Sequence, residues 1–221
     1  MEKTLKWAKR AELFKKLNFE GHEKEFHRLA EEGQTPKALF IGCSDSRVLP
    51  ELFTHSKPGE LFVVRNAGNF VPTWSPDIRW DGVAASILFA VEVLKVAEVI
   101  VCGHSTCGAI EGLYSEKGEE MHPYLKNWIR LGEKAKRLAE GAHPELIGKT
   151  ELHDLTARLS VVLQLEHLLE YPAIQERVKE KKLYLHGWFY HIDTGELDYF
   201  DPEEEKFIPL KTLLKPCSDD S

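Results

Sequence analysis

The chain is poor in cysteine, with four among 221 residues, and it has neither a basic excess nor a long apolar run. Each shortage excludes something. Four cysteines are too few to staple a chain of this length, so a disulfide scaffold is excluded. With 29 Lys and Arg against 36 Asp and Glu, the formal net charge is −7. Proteins that live on phosphate backbones carry the opposite balance, so nucleic acid is not an expected partner. The longest charge-free stretch, Val99–Ile110, contains a histidine and two cysteines and falls short of the roughly 18 residues of a membrane span. No apolar signal core follows Met1-Glu2-Lys3-Thr4, so a soluble, cytoplasmic protein with no membrane partner is expected. Hydrophobic residues at 43% and charged residues at 29% are ordinary globular usage and exclude a disordered chain.

What the sequence does have is alternation. The first 35 residues read as a helical arm, with Leu5, Trp7, Leu13, Phe14, Leu17 and Phe19 scattered among Lys and Glu, a pattern that packs weakly alone and suits the surface of another subunit. Ala38-Leu39-Phe40-Ile41, Leu61-Phe62-Val63-Val64 and Val99-Ile100-Val101-Cys102 are short continuous apolar runs, the look of buried parallel strands. Val83–Val96, Tyr124–Ala139 and Leu152–Glu170 have helical periodicity, Pro172 punctuates, and a further helix is predicted from about Ser105. Lys182–Tyr190 reads as a fourth strand returning through an Asp/Gly turn along Leu197–Phe200. The prediction is an α/β fold: a mainly parallel sheet flanked by helices, with an antiparallel edge strand and the N-terminal arm. The domain reading is an arm at 1–35, one catalytic domain at 36–215 and a polar tail at 216–221, in which Cys217 is an incidental thiol.

In such sheets chemistry gathers at the carboxyl ends of strands. The first strand runs into Gly42-Cys43-Ser44-Asp45-Ser46-Arg47 and the third into Cys102-Gly103-His104-Ser105-Thr106-Cys107-Gly108. Neighbouring strand ends would bring Cys43, His104 and Cys107 within reach of one metal ion. His104 and Cys107 are three apart, so a first helical turn would put both on one face. Two thiolates and an imidazole suit zinc, and three protein ligands leave a fourth position open, as catalytic zinc requires. Core or loop residues with no ligand, or a structural zinc, remain alternatives on spacing alone. Neither the Cys-x3-Arg spacing at Cys43 nor Cys102-x4-Cys107 fits a thiol phosphatase or a thioredoxin-like redox site. Cys102 reads as core.

Cys43-Ser44-Asp45-Ser46-Arg47, Arg65-Asn66-Ala67-Gly68-Asn69 and Cys102-Gly103-His104-Ser105-Thr106-Cys107-Gly108 resemble, in order and separation, the three signature segments of the β-class carbonic anhydrases. Leu185-His186-Gly187-Trp188-Phe189-Tyr190 is similar to that family's later strand, and the resemblance runs from about residue 3 to 210. It implies a homodimer or a multiple of dimers, an arm wrapped on the partner, and zinc held by Cys43, His104 and Cys107. The implied reaction is reversible hydration of CO2 to bicarbonate and a proton by zinc-bound hydroxide. Asp45 and Arg47 match the family's carboxylate–guanidinium dyad, with Asp45 a conditional fourth ligand in a closed state.

Physical chemistry gives the dyad a task. Two thiolates cancel the charge of Zn²⁺ and polarise bound water less than three imidazoles would. Asp45 can accept the nucleophile's hydrogen bond and orient it, while Arg47 can hold Asp45 bidentately and keep it off the metal. In isolation an Asp-x-Arg pair reads as a surface salt bridge. Asn66, Gly68 and Asn69 are expected to shape the adjoining loop, and Asp81 and Ser105 to cap helices or support the ligands. In some members a regulatory bicarbonate pocket combines a Trp three residues before the first zinc Cys with the Arg of the Arg-Asn segment and a Tyr on the later strand. Arg65 and Tyr190 match it; Phe40 stands where the Trp would, without an indole N–H. Two other functions are weighed: hydrolysis of carbonyl sulfide or carbon disulfide on the same fold, and a non-catalytic zinc-binding scaffold.

Overall fold

The structure is a computed structural model that describes residues 2–77, 81–115 and 121–214; the predicted polar tail and Cys217 lie outside the described residues. Six strands form one sheet: β1 (Ala38–Cys43), β2 (Leu61–Asn66), β3 (Glu98–His104), β4 (Tyr184–Tyr190), β5 (Leu197–Asp201) and β6 (Lys206–Pro209). Their order is β2-β1-β3-β4-β5-β6. The first four are parallel, and β5 and β6 add antiparallel pairs at one edge. The mainly parallel sheet with an antiparallel edge is as the sequence predicts; β6 is an additional strand.

All six residues of β1 are buried, and their alternation divides the core. Leu39 and Ile41 face one side with Val99 and Val101, packed by Ile87 and Ala90 of α4 (Gly82–Leu88) and its π-helical continuation to Val93, and by Val161 and Leu168 of α8 (Thr150–Leu169). Ala38 and Phe40 face the other with Ile100 and Cys102, against Phe53, Trp188 and Tyr190. Helix α8 lies close to β3 because Gly103 offers no Cβ, which would stand 2.7 Å from Val161. Truncating Leu39 or Ile41 to Ala in so tight a core costs about 2–5 kcal/mol.

The remaining helices are α1 (Glu2–Phe14), α2 (Glu23–Glu32), α3 (Pro50–Phe53), α5 (Gly108–Tyr114), α6 (Pro123–Ile129), α7 (Glu133–Ala142) and α9 (Pro172–Lys179). Pro172 proves to be the first residue of α9, where its missing N–H is no loss, rather than mere punctuation.

Candidate metal centre and active site

Parallel pairing of β1 with β3 sets Gly42 beside Cys102, so the two predicted loops leave the sheet side by side. Cys43 ends β1 and His104 ends β3. The helix predicted from about Ser105 is present but starts three residues later, at Gly108. Ser105 and Thr106 form a turn, Thr106 takes the left-handed conformation at φ +52, and Cys107 is the extended N-cap of α5. The His104–Cys107 juxtaposition is therefore built by a strained turn, not by one helical face.

The donor atoms of Cys43, His104 and Cys107 all lie within 4.8 Å of one another, and all three residues are buried. The sulfurs are 4.0 Å apart. His104 Nδ1 lies 2.9 Å from the Ser105 carbonyl; as the donor there, it leaves the Nε2 lone pair inward. That Nε2 is buried and has no hydrogen-bond partner. A buried acceptor without a partner is costly, and a cation held by these three donors would satisfy it. The soft S₂N donor set fits zinc. The contact with Cys107 holds the Cys43 thiol well below its ordinary range, helped by the Gly68 N–H at 3.3 Å, while the same contact and burial push Cys107 up. Gly68 reaches the sulfur at φ +85, and a Cβ there would strike Phe70 at 2.6 Å.

Beside the donors, Arg47 grips Asp45 at three points. Its backbone N–H and its Nε donate to Asp45 Oδ1, each at 2.9 Å, and its Nη2 donates to Oδ2 at 2.8 Å. The Arg47 side chain holds the Asp45 carboxyl well below the usual carboxylate range. The guanidinium is itself anchored: Nη1 donates to Thr106 Oγ1 at 3.2 Å and Nη2 to the Thr106 carbonyl at 3.1 Å. Arg65 donates from Nε to the Cys43 carbonyl and from Nη2 to the Asp45 carbonyl, clamping the backbone on both sides of Ser44.

The supporting residues divide. Asn66 shapes the loop through paired bonds with the Phe70 backbone, and Asn69 is buried in the left-handed region. Asp81 caps α4, accepting from Val83 and Ala84. Ser105 caps nothing; its Oγ accepts from the Ile192 N–H and ties the β3 end to the chain beyond β4. The sequence reading missed Thr106 and Asp154, whose Oδ1 accepts from the Thr106 N–H at 2.9 Å. The first has a signal in retrospect, a β-branched residue squeezed between two ligands; the second, 48 residues away, has none. Where some family members carry the bicarbonate pocket, Phe40 is wholly buried against Phe53 and Trp188, and Phe53 stacks on Tyr190 at 4.9 Å.

Fold and donor set together define an α/β protein whose Cys43, His104 and Cys107 could hold a metal ion beside an acid–guanidinium pair. The carbonic anhydrase family profile matches residues 38–197. A carbonic anhydrase of Pseudomonas aeruginosa is 43% identical over 80% of this chain and 79% of its own. Carbonic anhydrase 1 of Escherichia coli O157:H7 is 37% identical over 93% and 91%. Among solved structures, the β-carbonic anhydrase CcaA superposes with a TM-score of 0.87 at 35% identity, covering 93% of this chain and 98% of that one. Tetrameric β-carbonic anhydrases from the ascomycete Sordaria macrospora superpose with a TM-score of 0.79 at 27% identity, covering 90% and 97%. The chain belongs to the carbonic anhydrase family, in its β class. No described helix is long and apolar enough to cross a membrane.

Proposed function

We propose that the protein is a zinc-dependent carbonic anhydrase that interconverts CO2 and bicarbonate, with Cys43, His104 and Cys107 as the metal ligands. The observation that carries this reading is the buried, unpartnered His104 Nε2 beside two sulfurs, next to an Asp45 fixed by Arg47. When bound, zinc supplies a Lewis acid that makes water a nucleophile at neutral pH.

The chain's own residues do the rest. Asp45, kept ionised by Arg47, is an acceptor with capacity left on Oδ2, so it can take a hydrogen bond from the attacking oxygen and aim that oxygen's lone pair. Three bonds from Arg47 engage both Asp45 carboxylate oxygens and would keep Asp45 from serving as a further ligand; without that grip it could serve as the conditional fourth ligand. Gly68 N–H and burial set the Cys43 sulfur. We further propose a homodimer or a multiple of it, one domain over 36–215, and a cytoplasmic location. Support for assembly comes from the exposed apolar side chains of the arm and from the tetrameric Sordaria macrospora relatives.

The test is stopped-flow CO2 hydration on protein with measured zinc content, run beside sulfide release from carbonyl sulfide. Hydration should be fast and sulfide release slow, and Asp45→Ala and Arg47→Ala should keep zinc while losing ~10²–10⁴-fold in rate, as a positioned proton-handling group does. Sulfide release outpacing hydration would transfer the site to the other substrate class. Wild-type rates in both variants would remove the dyad from the mechanism.

A further inference from the structure

The grip on Asp45 does not end at Arg47. Arg47 is half-exposed, with 48% of its side chain accessible, and a guanidinium on the surface holds a geometry poorly unless something holds it in turn. Here that something is Thr106, which receives Nη1 on its hydroxyl and Nη2 on its carbonyl. Thr106 can do so only because its backbone sits at φ +52, a region that a β-branched residue scarcely visits and that persists only where the surroundings enforce it. The enforcing contact comes from another layer of the fold: Asp154, in the second turn of α8, accepts the Thr106 N–H on Oδ1 at 2.9 Å.

We propose that Asp154 is a positioning residue for the reaction, the outer end of a chain Asp154–Thr106–Arg47–Asp45 that pins the dyad to the rigid helix α8. The proposal rests on the carbonic anhydrase reading, since it assigns Asp154 to the aim of Asp45. The chain has three links, of one, two and three hydrogen bonds in turn, and only its inner end would touch the reacting atoms. Asp154 fixes the amide of Thr106; that fixes the turn on which the Thr106 carbonyl and hydroxyl face Arg47; the guanidinium then presents Nε and Nη2 to Asp45 in register. The same turn carries His104 and Cys107 at its ends, but their backbones are also held by regular elements, His104 in register with Tyr190 at the end of β3 and Cys107 at the start of α5. Loss of Asp154 should therefore loosen the dyad and leave the ligands in place.

The experiment compares Asp154→Ala, Asp154→Asn, Arg47→Ala and the Arg47→Ala/Asp154→Ala double variant, all zinc-loaded. Alanine is a better helix former than aspartate, so α8 should survive; should Asp154→Ala not fold, Asp154→Ser, too short for the contact, takes its place. Asp154→Ala should lower kcat/KM for CO2 hydration about tenfold, the scale of one charge-assisted hydrogen bond, with zinc content unchanged. Asp154→Asn keeps a carbonyl Oδ1 for the Thr106 N–H and should recover most of the loss. In the Arg47→Ala background the Asp154 change should do nothing more, because the link it serves is already cut. A merely structural role would instead multiply the two losses. Hydrogen exchange at the Thr106 amide, followed by NMR, reads the first link without turnover: faster in Asp154→Ala and slow in Asp154→Asn.

Wild-type turnover in Asp154→Ala, multiplied losses in the double variant, or no recovery with Asn would each overturn the proposal. Unchanged exchange at Thr106 would do the same. If the wild type does not hydrate CO2 at all, the carbonic anhydrase reading falls instead, and the exchange measurement alone decides whether Asp154 fixes the turn.

Discussion

The strand ends and the N-terminal arm put their apolar side chains to opposite use. In β1 every residue is buried, and the backbone that leaves it goes straight into Cys43 and the Asp45–Arg47 pair. In α1 and the π-helical turn after it, Trp7 and Leu17 stand 65% and 73% exposed, and no residue of the turn or of α2 is buried. Strands β1 and β3 are held by their own helices and can place donor atoms to within ångströms. Within the arm Phe14 and Phe19 pack on Phe26, but Trp7 and Leu17 in water add nothing to its stability. Precision at the site is a property of one chain; the proposed dimer would give the exposed side chains of the arm a surface to cover.

The sharpest way to break that contrast is at the buried end. Replacing Cys43 or Cys107 with Ser removes a soft donor from a three-residue set that already leaves one position open. Both variants should lose zinc and turnover together. Metal analysis beside the hydration assay checks this, and full zinc occupancy in Cys43→Ser would end the assignment of these ligands.

At the exposed end, deletion of residues 1–35 should weaken association and leave the sheet intact. Burying a large apolar side chain is worth about 1.5–3 kcal/mol, so covering Trp7, Leu13, Phe14 and Leu17 on a partner would contribute a sizeable share of the proposed dimer's stability. Light scattering on the full chain and the deletion measures it. A stable monomer of 25.3 kDa at micromolar concentration would erase the contrast.

How legible each region was follows from the range of the forces that build it. The central strands were readable as apolar runs because burial on both faces leaves no room for polar residues, and the extra strand β6 was not, since Lys206–Pro209 is half solvent-facing at the sheet edge. Cys43, His104 and Cys107 stood out as donors through their residue types and places in the chain. The manner of their meeting did not: a helical turn at Ser105 was the natural expectation from the i, i+3 spacing, and the observed turn depends on Thr106 held at φ +52 by Arg47 and Asp154. A contact to a helix 48 residues on leaves no periodic trace. Asp81, by contrast, was legible as a cap because an N-cap needs only the backbone N–H groups two and three residues on.

A smaller effect is expected at the aromatic cluster behind the site. Phe40 is packed on Phe53 and Trp188, and Arg65 is engaged with the Cys43 and Asp45 carbonyls. An anion there would lack the indole donor, a charge-assisted hydrogen bond of about 1.5–3 kcal/mol, or one to two powers of ten in affinity. Bicarbonate should therefore be a weak inhibitor, and activity should decline gradually on acidification. Inhibition curves and a pH–rate profile check it; steep, cooperative loss of activity would show that Arg65 and Tyr190 suffice for the switch.

The smallest effect separates the sheet from its solvent edge. His186 of β4 faces Glu98 of β3, with Nε2 and Oε2 3.6 Å apart, too long for a hydrogen bond, and its Nε2 is buried without a hydrogen-bond partner. Burial pulls its pKa below the ordinary 6.5, and Glu98 only partly opposes this. The unfolded chain therefore takes up this proton more readily than the folded one. The stability His186 permits is complete above about pH 6.5 and is lost as the pH falls from there through the lower folded value. Denaturant unfolding of wild type and His186→Gln at about pH 7.5 and 5.5 isolates the contribution, because every other titrating group cancels in the difference between the two proteins. Wild type should lose more stability on acidification than the variant. Equal losses would mean that the Glu98 carboxylate fully compensates the burial of the ring, and that this end of the β3–β4 pair is electrostatically open to water.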